Sequence, residues 1–124
     1  SKGSGKAYVA PLIAQNNQGP KQPDSPIGLT GGEFTRGSAT SAEIRWNPTN
    51  YQSYRVYVTA TDDFQKVYFE SGKVDSTANP LVVKMTGLVC GVDLRVMSVF
   101  FTKKGGEGQS RVEQRVLRSF KCQG

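Results

Sequence analysis

Short segments of alternating apolar and polar residues, separated by turn-forming residues about every 8 to 12 positions, dominate the sequence from Pro26 onward. No long window shows apolar residues recurring every three to four positions, as an amphipathic helix requires. The 14 glycines and 6 prolines supply breaks between the segments, and β-branched and aromatic residues recur within them. The pattern predicts an all-β fold, and 124 residues are enough for one such domain.

Seven such segments follow one another, which is the number expected of a small antiparallel β-sandwich. Residues 1–25 differ, because they are rich in Gly, Pro, Gln, Asn and Ser around one apolar patch, Tyr8 to Ile13. We therefore expect residues 1–25 to be a flexible basic tether and residues 26–124 to be the folded domain. The patch remains a candidate for an added edge strand or for partner binding. The predicted strands are Ile27 to Phe34, Ala42 to Trp46, Tyr54 to Thr61, Val67 to Glu70, Leu81 to Met85, Asp93 to Phe101 and Arg111 to Ser119.

Four segments of the predicted strands form a familiar pattern: SAEIRWNP, YRVYV, VVKMTGL and VDLRVMSVFFTKKGGEGQSR. Together they resemble a fibronectin type III domain, which belongs to the immunoglobulin-like superfold. The resemblance covers Pro26 to about Phe120 and implies that Trp46 is buried in the second strand and that Tyr54 belongs to an alternating third strand. One departure is Leu94, because the family usually has there a tyrosine whose hydroxyl bonds back to the preceding turn.

The two cysteines follow Trp46 in the sequence. In a sandwich of this kind, the turn before the sixth strand and the end of the seventh lie at the same pole, so we predict a disulfide between Cys90 and Cys122. Two free thiols are the alternative. A zinc site of Cys and His type is excluded because the chain has no His. A disulfide implies export to the periplasm, the cell surface or the medium.

The sixth predicted strand is apolar on both of its faces, apart from Arg95 and Ser98. Because an unpartnered arginine in the core is costly, the parity of Arg95 is expected to point outward. Arg115 and Leu117 are expected neighbours on that side. The surface is either covered by its own arginine stems or by the tether, or it is free to bind a partner. Together with the lysines of the next loop, the predicted partner-binding residues are Arg55, Tyr57, Arg95, Met97, Val99, Phe101, Lys103 and Lys104.

The charges and ionisable residues do not suggest an enzyme. The carboxylates are isolated apart from Asp62-Asp63, which is typical of a turn, and no phosphate-binding glycine motif is present. We therefore predict no catalytic residue, no metal and no cofactor. Half of the net charge of +6 belongs to residues 1–23, which carry three lysines and no acid, and residues 24–124 carry 13 basic and 10 acidic side chains.

The resemblance implies a non-catalytic exported binding or adhesion module that recognises a protein partner. One alternative is binding of a polyanion, such as a glycan, an anionic lipid or a nucleic acid, through the lysines of the tether and of the loop. Another is an accessory domain of a larger secreted protein. No apolar run reaches the roughly 18 residues of a membrane helix, so we do not expect an integral membrane protein. We also expect a monomer.

Overall fold

The computed structural model describes residues 26–122, and its only regular element besides strands is a short 3-10 turn at Lys104–Gly106. The all-β prediction is confirmed. The predicted tether lies outside the described residues. The strands are β1 (Gly31–Ser38), β2 (Ser41–Trp46), β3 (Ser53–Ala60), β4 (Val67–Glu70), β5 (Val74–Asp75), β6 (Leu81–Met85), β7 (Leu94–Lys103) and β8 (Glu107–Leu117).

The strands form two antiparallel sheets, as a β-sandwich requires. The smaller sheet has the order β1-β2-β6, and the larger has the order β4-β3-β7-β8, with β5 added beside β3. Each of the seven predicted segments overlaps one of these strands. The additional strand is β5, whose two residues pair with Ser53 and Tyr54. It is too short to produce an alternating pattern in the sequence.

The first strand begins at Gly31, later than the pattern predicts, and a glycine pair forms its first two residues. Gly31 and Gly32 have φ angles of 92° and 89°, which other residues rarely adopt, and the register with β2 shifts there. A Cβ atom added to Gly32 would meet the guanidinium of Arg115, which would have to move aside. Before the pair, Gly28 and Thr49 exchange backbone hydrogen bonds of 3.1 and 2.9 Å.

The core lies between the two sheets and is centred on aromatic rings. Phe100 of β7 contacts Trp46 and Tyr51 edge to face, with ring centroids 5.6 Å apart in both pairs. On β7, the positions that alternate with Arg95 point into the core, as predicted. The buried apolar residues are Ile27, Ala42, Ile44, Trp46, Tyr51, Val56, Val58, Leu81, Val83, Met85, Leu88, Leu94, Val96, Phe100, Leu117 and Phe120.

The predicted cysteine pair joins the turn before β7 to the segment after β8. The Cα atoms of Cys90 and Cys122 are 5.1 Å apart, and the structure links their sulfur atoms as a disulfide. Next to it, the backbone N–H of Gly91 donates to the carbonyl of Phe120 at 2.9 Å. Leu94 is buried in the core. The disulfide and the hydrogen bond of Gly91 therefore both fasten the segment after β8 to the turn before β7.

Candidate partner-binding face

The outward side of the larger sheet, called the outer face below, is defined by the register of β3, β7 and β8. Directly paired residues of neighbouring strands project to the same side, so each row of partners lies side by side. The rows are Arg55, Val99 and Val112; Tyr57, Met97 and Gln114; and Thr59, Arg95 and Val116, with Phe101 and Ser110 toward the β7–β8 loop and Val67 and Glu70 on β4. The structure thus brings the six predicted strand residues of the partner-binding set onto one side of one sheet.

The outer face carries most of the exposed apolar surface. Within residues 26–122, six large apolar side chains are exposed, and four of these lie at the outer face: Phe64, Val67, Val112 and Val116, which are 66%, 50%, 57% and 41% exposed. None of these four residues is among the partner-binding residues predicted from the sequence. Clustering of this kind is uncommon on a monomer, whereas single exposed apolar residues are normal.

On β8, the usual alternation is reversed, and this corrects one expectation. Arg115 and Leu117 were expected on the outer face, but their β7 partners are core residues, so both belong to the inward side. The inward charges are tolerated because this part of β8 lies at the open edge between the sheets. There Arg115 donates to the carbonyl of Gly31 at 2.7 Å, and Arg111 donates to that of Ile27 at 3.3 Å. The side of β8 that carries its two valines consequently faces solvent.

The outward side of the smaller sheet has the opposite character. Its register places Glu43 opposite Lys84 and Arg45 opposite Val82. Val82 is its one apolar member and is 48% exposed. The residues on this outward side are Glu33, Thr35, Glu43, Arg45, Val82 and Lys84. Exposed apolar surface is therefore a property of the outer face of the larger sheet and not of strand surfaces in general.

One outer-face arginine is paired with a carboxylate. Arg55 donates to both carboxylate oxygens of Glu70, with Nη2 2.7 Å from Oε1 and Nε 3.1 Å from Oε2, and its guanidinium lies 4.7 Å from the ring centroid of Tyr57. These hydrogen bonds hold the pKa of the Glu70 carboxyl below its ordinary value, and they raise the pKa of Arg55. Arg55 thus covers part of Tyr57, as arginine stems were expected to do.

The other outer-face arginine is covered by an aromatic ring. Arg95 was expected to be exposed, and this expectation is wrong because its side chain is only 8% exposed. The loop after β3 folds over the face, and the ring of Phe64 lies 3.5 Å from Cζ of Arg95. A turn holds the loop, in which the carboxylate of Asp63 accepts from the N–H of Gln65 at 3.0 Å.

Between this loop and β8 the outer face has a cavity. Its volume is about 360 Å³, and it lies beside the ring of Phe64. Two of its six lining side chains are wholly apolar, and the other four supply one amide, one hydroxyl, one phenol and the guanidinium of Arg95. Its lining residues are Tyr57, Thr59, Phe64, Arg95, Met97 and Gln114.

The loop after β7 is held in place at the end of the outer face. The hydroxyl of Ser53 donates to the carbonyl of Lys103 at 2.6 Å and accepts from the N–H of Gly106 at 3.0 Å. The carboxylate of Asp75 accepts from the N–H of Gly105 at 2.8 Å. The side chains of Lys103 and Lys104 are exposed. The loop therefore presents these two lysines from a fixed backbone.

A larger depression, of about 660 Å³, lies at the open edge between β1 and β8. Of its four charged lining residues, Glu113 and Arg115 pair with each other at 3.1 Å, and Arg118 pairs with Asp93 at 3.0 Å. In residues 26–122, no three acidic or cysteine side chains are grouped as a metal site would need, and no helix is long and apolar enough to cross a membrane.

Neither a protein-family model nor a curated protein sequence matches this chain.

Proposed function

We propose that this chain is a non-catalytic recognition module that binds a protein partner through the outer face and the adjoining β7–β8 loop. One observation carries the proposal. The outer face gathers four exposed large apolar side chains, whereas the corresponding side of the smaller sheet is charged. Burying such a surface against a partner removes apolar area from water, which is the main favourable term in protein association.

The module is a fibronectin type III-like domain in this proposal. The strand order supports it, because β1, β2 and β6 form one sheet and β3, β7 and β8 the other, as in immunoglobulin-like sandwiches. The short β4 lies beside β3 in the larger sheet, whereas the constant immunoglobulin arrangement has its fourth strand in the other sheet. The buried Trp46 on β2 is a further point of agreement.

The disulfide supports an exported module. A cross-link between Cys90 and Cys122 persists in oxidising compartments, and reducing systems of the cytosol would open it. We therefore assign the domain to the periplasm, the cell surface or the medium. An apolar recognition face at such a location is suited to adhesion or to assembly with another exported protein.

Binding of a polyanion is less well supported by the arrangement of charges. Arg55, Arg115 and Arg118 each pair with a carboxylate of this chain, and Arg36 lies over the ring of Phe120. A polyanion site needs several cations that are available on one surface. The lysines of the loop remain exposed, but they lie beside an apolar face.

Differential capture with two matched variants tests the proposal. Val112 and Val82 are half-exposed valines on outward sides of different sheets, and changing either to Asp alters the net charge equally. Immobilised wild type, Val112→Asp and Val82→Asp are each incubated with exported proteins from the source cells, and the retained proteins are quantified by mass spectrometry. We expect a protein retained by wild type and Val82→Asp to be depleted about tenfold or more with Val112→Asp. Equal retention by all three would contradict the proposal.

A further inference from the structure

Arg95 is a buried cation without a carboxylate partner. Its side chain is more than nine-tenths buried, yet among residues 26–122 no carboxylate lies within ion-pairing distance of it. Buried arginines are normally paired, because removing a charge from water is costly. On the same face, Arg55 shows the usual arrangement, since both carboxylate oxygens of Glu70 accept from it. Arg55 is therefore already paired with an anionic group, whereas Arg95 is not.

The contacts of Arg95 leave most of its donors available. The ring of Phe64 stacks on the guanidinium, with 3.5 Å from its centroid to Cζ, and such stacking occupies the face of the group and none of its N–H bonds. One acceptor is provided, the carbonyl of Thr61, 2.9 Å from Nη2. A guanidinium has five N–H donors in a planar fork. The remaining donors match the two oxygens of a carboxylate.

The surroundings of Arg95 strengthen such a contact. It lines the cavity of about 360 Å³, where Met97 and the ring of Phe64 place apolar surface beside the guanidinium. A charge-assisted hydrogen bond is stronger in such surroundings than in water. Residues 26–122 carry 13 basic and 9 acidic side chains, so the charge of the domain also favours an acidic partner.

We propose that the cavity beside Arg95 receives the carboxylate of an acidic side chain, Asp or Glu, that projects from the surface of the protein partner. This inference rests on the proposed function, because it assigns a chemistry to the same face. The row of Arg95 also contains the exposed Val67 and Val116 on either side. A carboxylate within an apolar partner surface fits this row better than a free chain terminus does, because the partner must cover both valines.

Three N-acetylated dipeptides test the assignment on the free domain. The probes are N-acetyl-Phe-Glu-amide, its neutral match N-acetyl-Phe-Gln-amide, and N-acetyl-Phe-Gln with a free C-terminal carboxylate. NMR follows the side-chain Nε–H signal of Arg95 and the methyl signal of Met97. We expect saturable shifts of both signals with the Glu peptide and at least about tenfold weaker binding of the neutral peptide. A stronger response to the free C-terminal carboxylate would overturn the assignment to a side chain. Equal responses to all three peptides would overturn the claim that the cavity binds a carboxylate.

Two variants provide the controls. Arg95→Met removes the charge and keeps an apolar side chain of similar length, so it should abolish the preference for the Glu peptide while the domain remains folded. Arg45→Gln removes one positive charge from the outward side of the smaller sheet, outside the proposed binding surface, and should leave the preference unchanged. An Arg95→Met variant that keeps the preference would contradict the inference. Should that variant not fold, the wild-type signal of Arg95 still decides, and the absence of any shift at Arg95 counts against the inference.

The failure of this inference is distinguishable from that of the proposed function. A captured protein that is lost with Val112→Asp but retained equally by wild type and Arg95→Met would refute the carboxylate contact alone. Equal capture by wild type, Val112→Asp and Val82→Asp would refute the proposed function, whatever the dipeptides show.

Discussion

The indole N–H of Trp46 on β2 donates to Oε1 of Glu113 on β8 at 2.7 Å, so that a side-chain hydrogen bond joins the two sheets across the core edge. Glu113 also pairs with Arg115, whose guanidinium donates to the carbonyl of Gly31. The inward charges of β8 are thereby satisfied. This arrangement explains how β8 can turn its valines outward without leaving buried polar groups unpaired.

The hydrogen bond of Trp46 is expected to contribute measurably to stability. Glu113→Ala leaves the buried indole N–H without an acceptor, which should lower the free energy of unfolding by about 1 to 3 kcal/mol. Glu113→Gln keeps an acceptor and should lose less. Chemical denaturation of the two variants measures the difference. Equal losses for Ala and Gln would show that the hydrogen bond is unimportant and that the ion pair with Arg115 dominates.

The disulfide is expected to form spontaneously and to stabilise the domain. The cysteines are separated by 32 positions, and closing a loop of this size stabilises by roughly 3 to 4 kcal/mol on a chain-entropy model. Intact-mass measurement of unreduced protein should therefore show the loss of two hydrogens relative to the reduced chain. Reduction should also lower the melting temperature by several degrees. Two thiols that react with an alkylating agent in fresh, unreduced protein would contradict the pairing.

Neighbouring positions of β7 should respond very differently to the same substitution. Val96 is 1% exposed in the core, so Val96→Ser should cost roughly 2 to 5 kcal/mol. Met97 is half-buried on the outer face, between Tyr57 and Gln114 in register, and Met97→Ser should cost much less. Thermal melts of both variants provide the comparison. A Met97→Ser variant as unstable as Val96→Ser would show that something covers both sides of this sheet.

The ion pair of the outer face predicts a pH dependence. Because Arg55 holds the pKa of Glu70 below its ordinary value, the pair stabilises the fold above that ordinary value, and the contribution is lost as the pH falls through the lowered pKa. Arg55→Gln should raise the pKa of Glu70 and reduce the acid-side loss of stability. The N–H of Gly72 also donates to Glu70, so the pKa of Glu70 should stay somewhat below its ordinary value in this variant. A pKa of Glu70 that NMR titration finds unchanged in Arg55→Gln would contradict this account.

The faces of β3 and β7 were predictable because each strand has strong markers. Trp46 sets the inward direction on β2, and the alternation around Val56 and Val96 continues that direction on the larger sheet. The disulfide was predictable from topology, since the two segments meet at one pole. For the two strand faces, one strong preference, burial of an aromatic ring or of an apolar strand, exceeds every local alternative.

The orientation of β8 was not predictable from its own pattern. Its valines alternate with Arg111, Glu113 and Arg115, and the ordinary rule places the valines inside. The rule fails because the inward side of β8 borders the open edge between the sheets, where charged groups reach backbone carbonyls. The burial of Arg95 was equally hidden, since it depends on how the loop carrying Phe64 folds back over β7.

Methyl NMR of the complex is the most direct measurement of the central claim, that the outer face binds the partner. The domain is labelled at valine and methionine methyl groups, and the protein that differential capture selects is added. We expect the methyl signals of Val112, Val116 and Met97 to shift or broaden strongly, while that of Val82 on the smaller sheet stays unchanged. The opposite pattern, with a perturbed Val82 and unchanged outer-face methyl groups, would contradict the account.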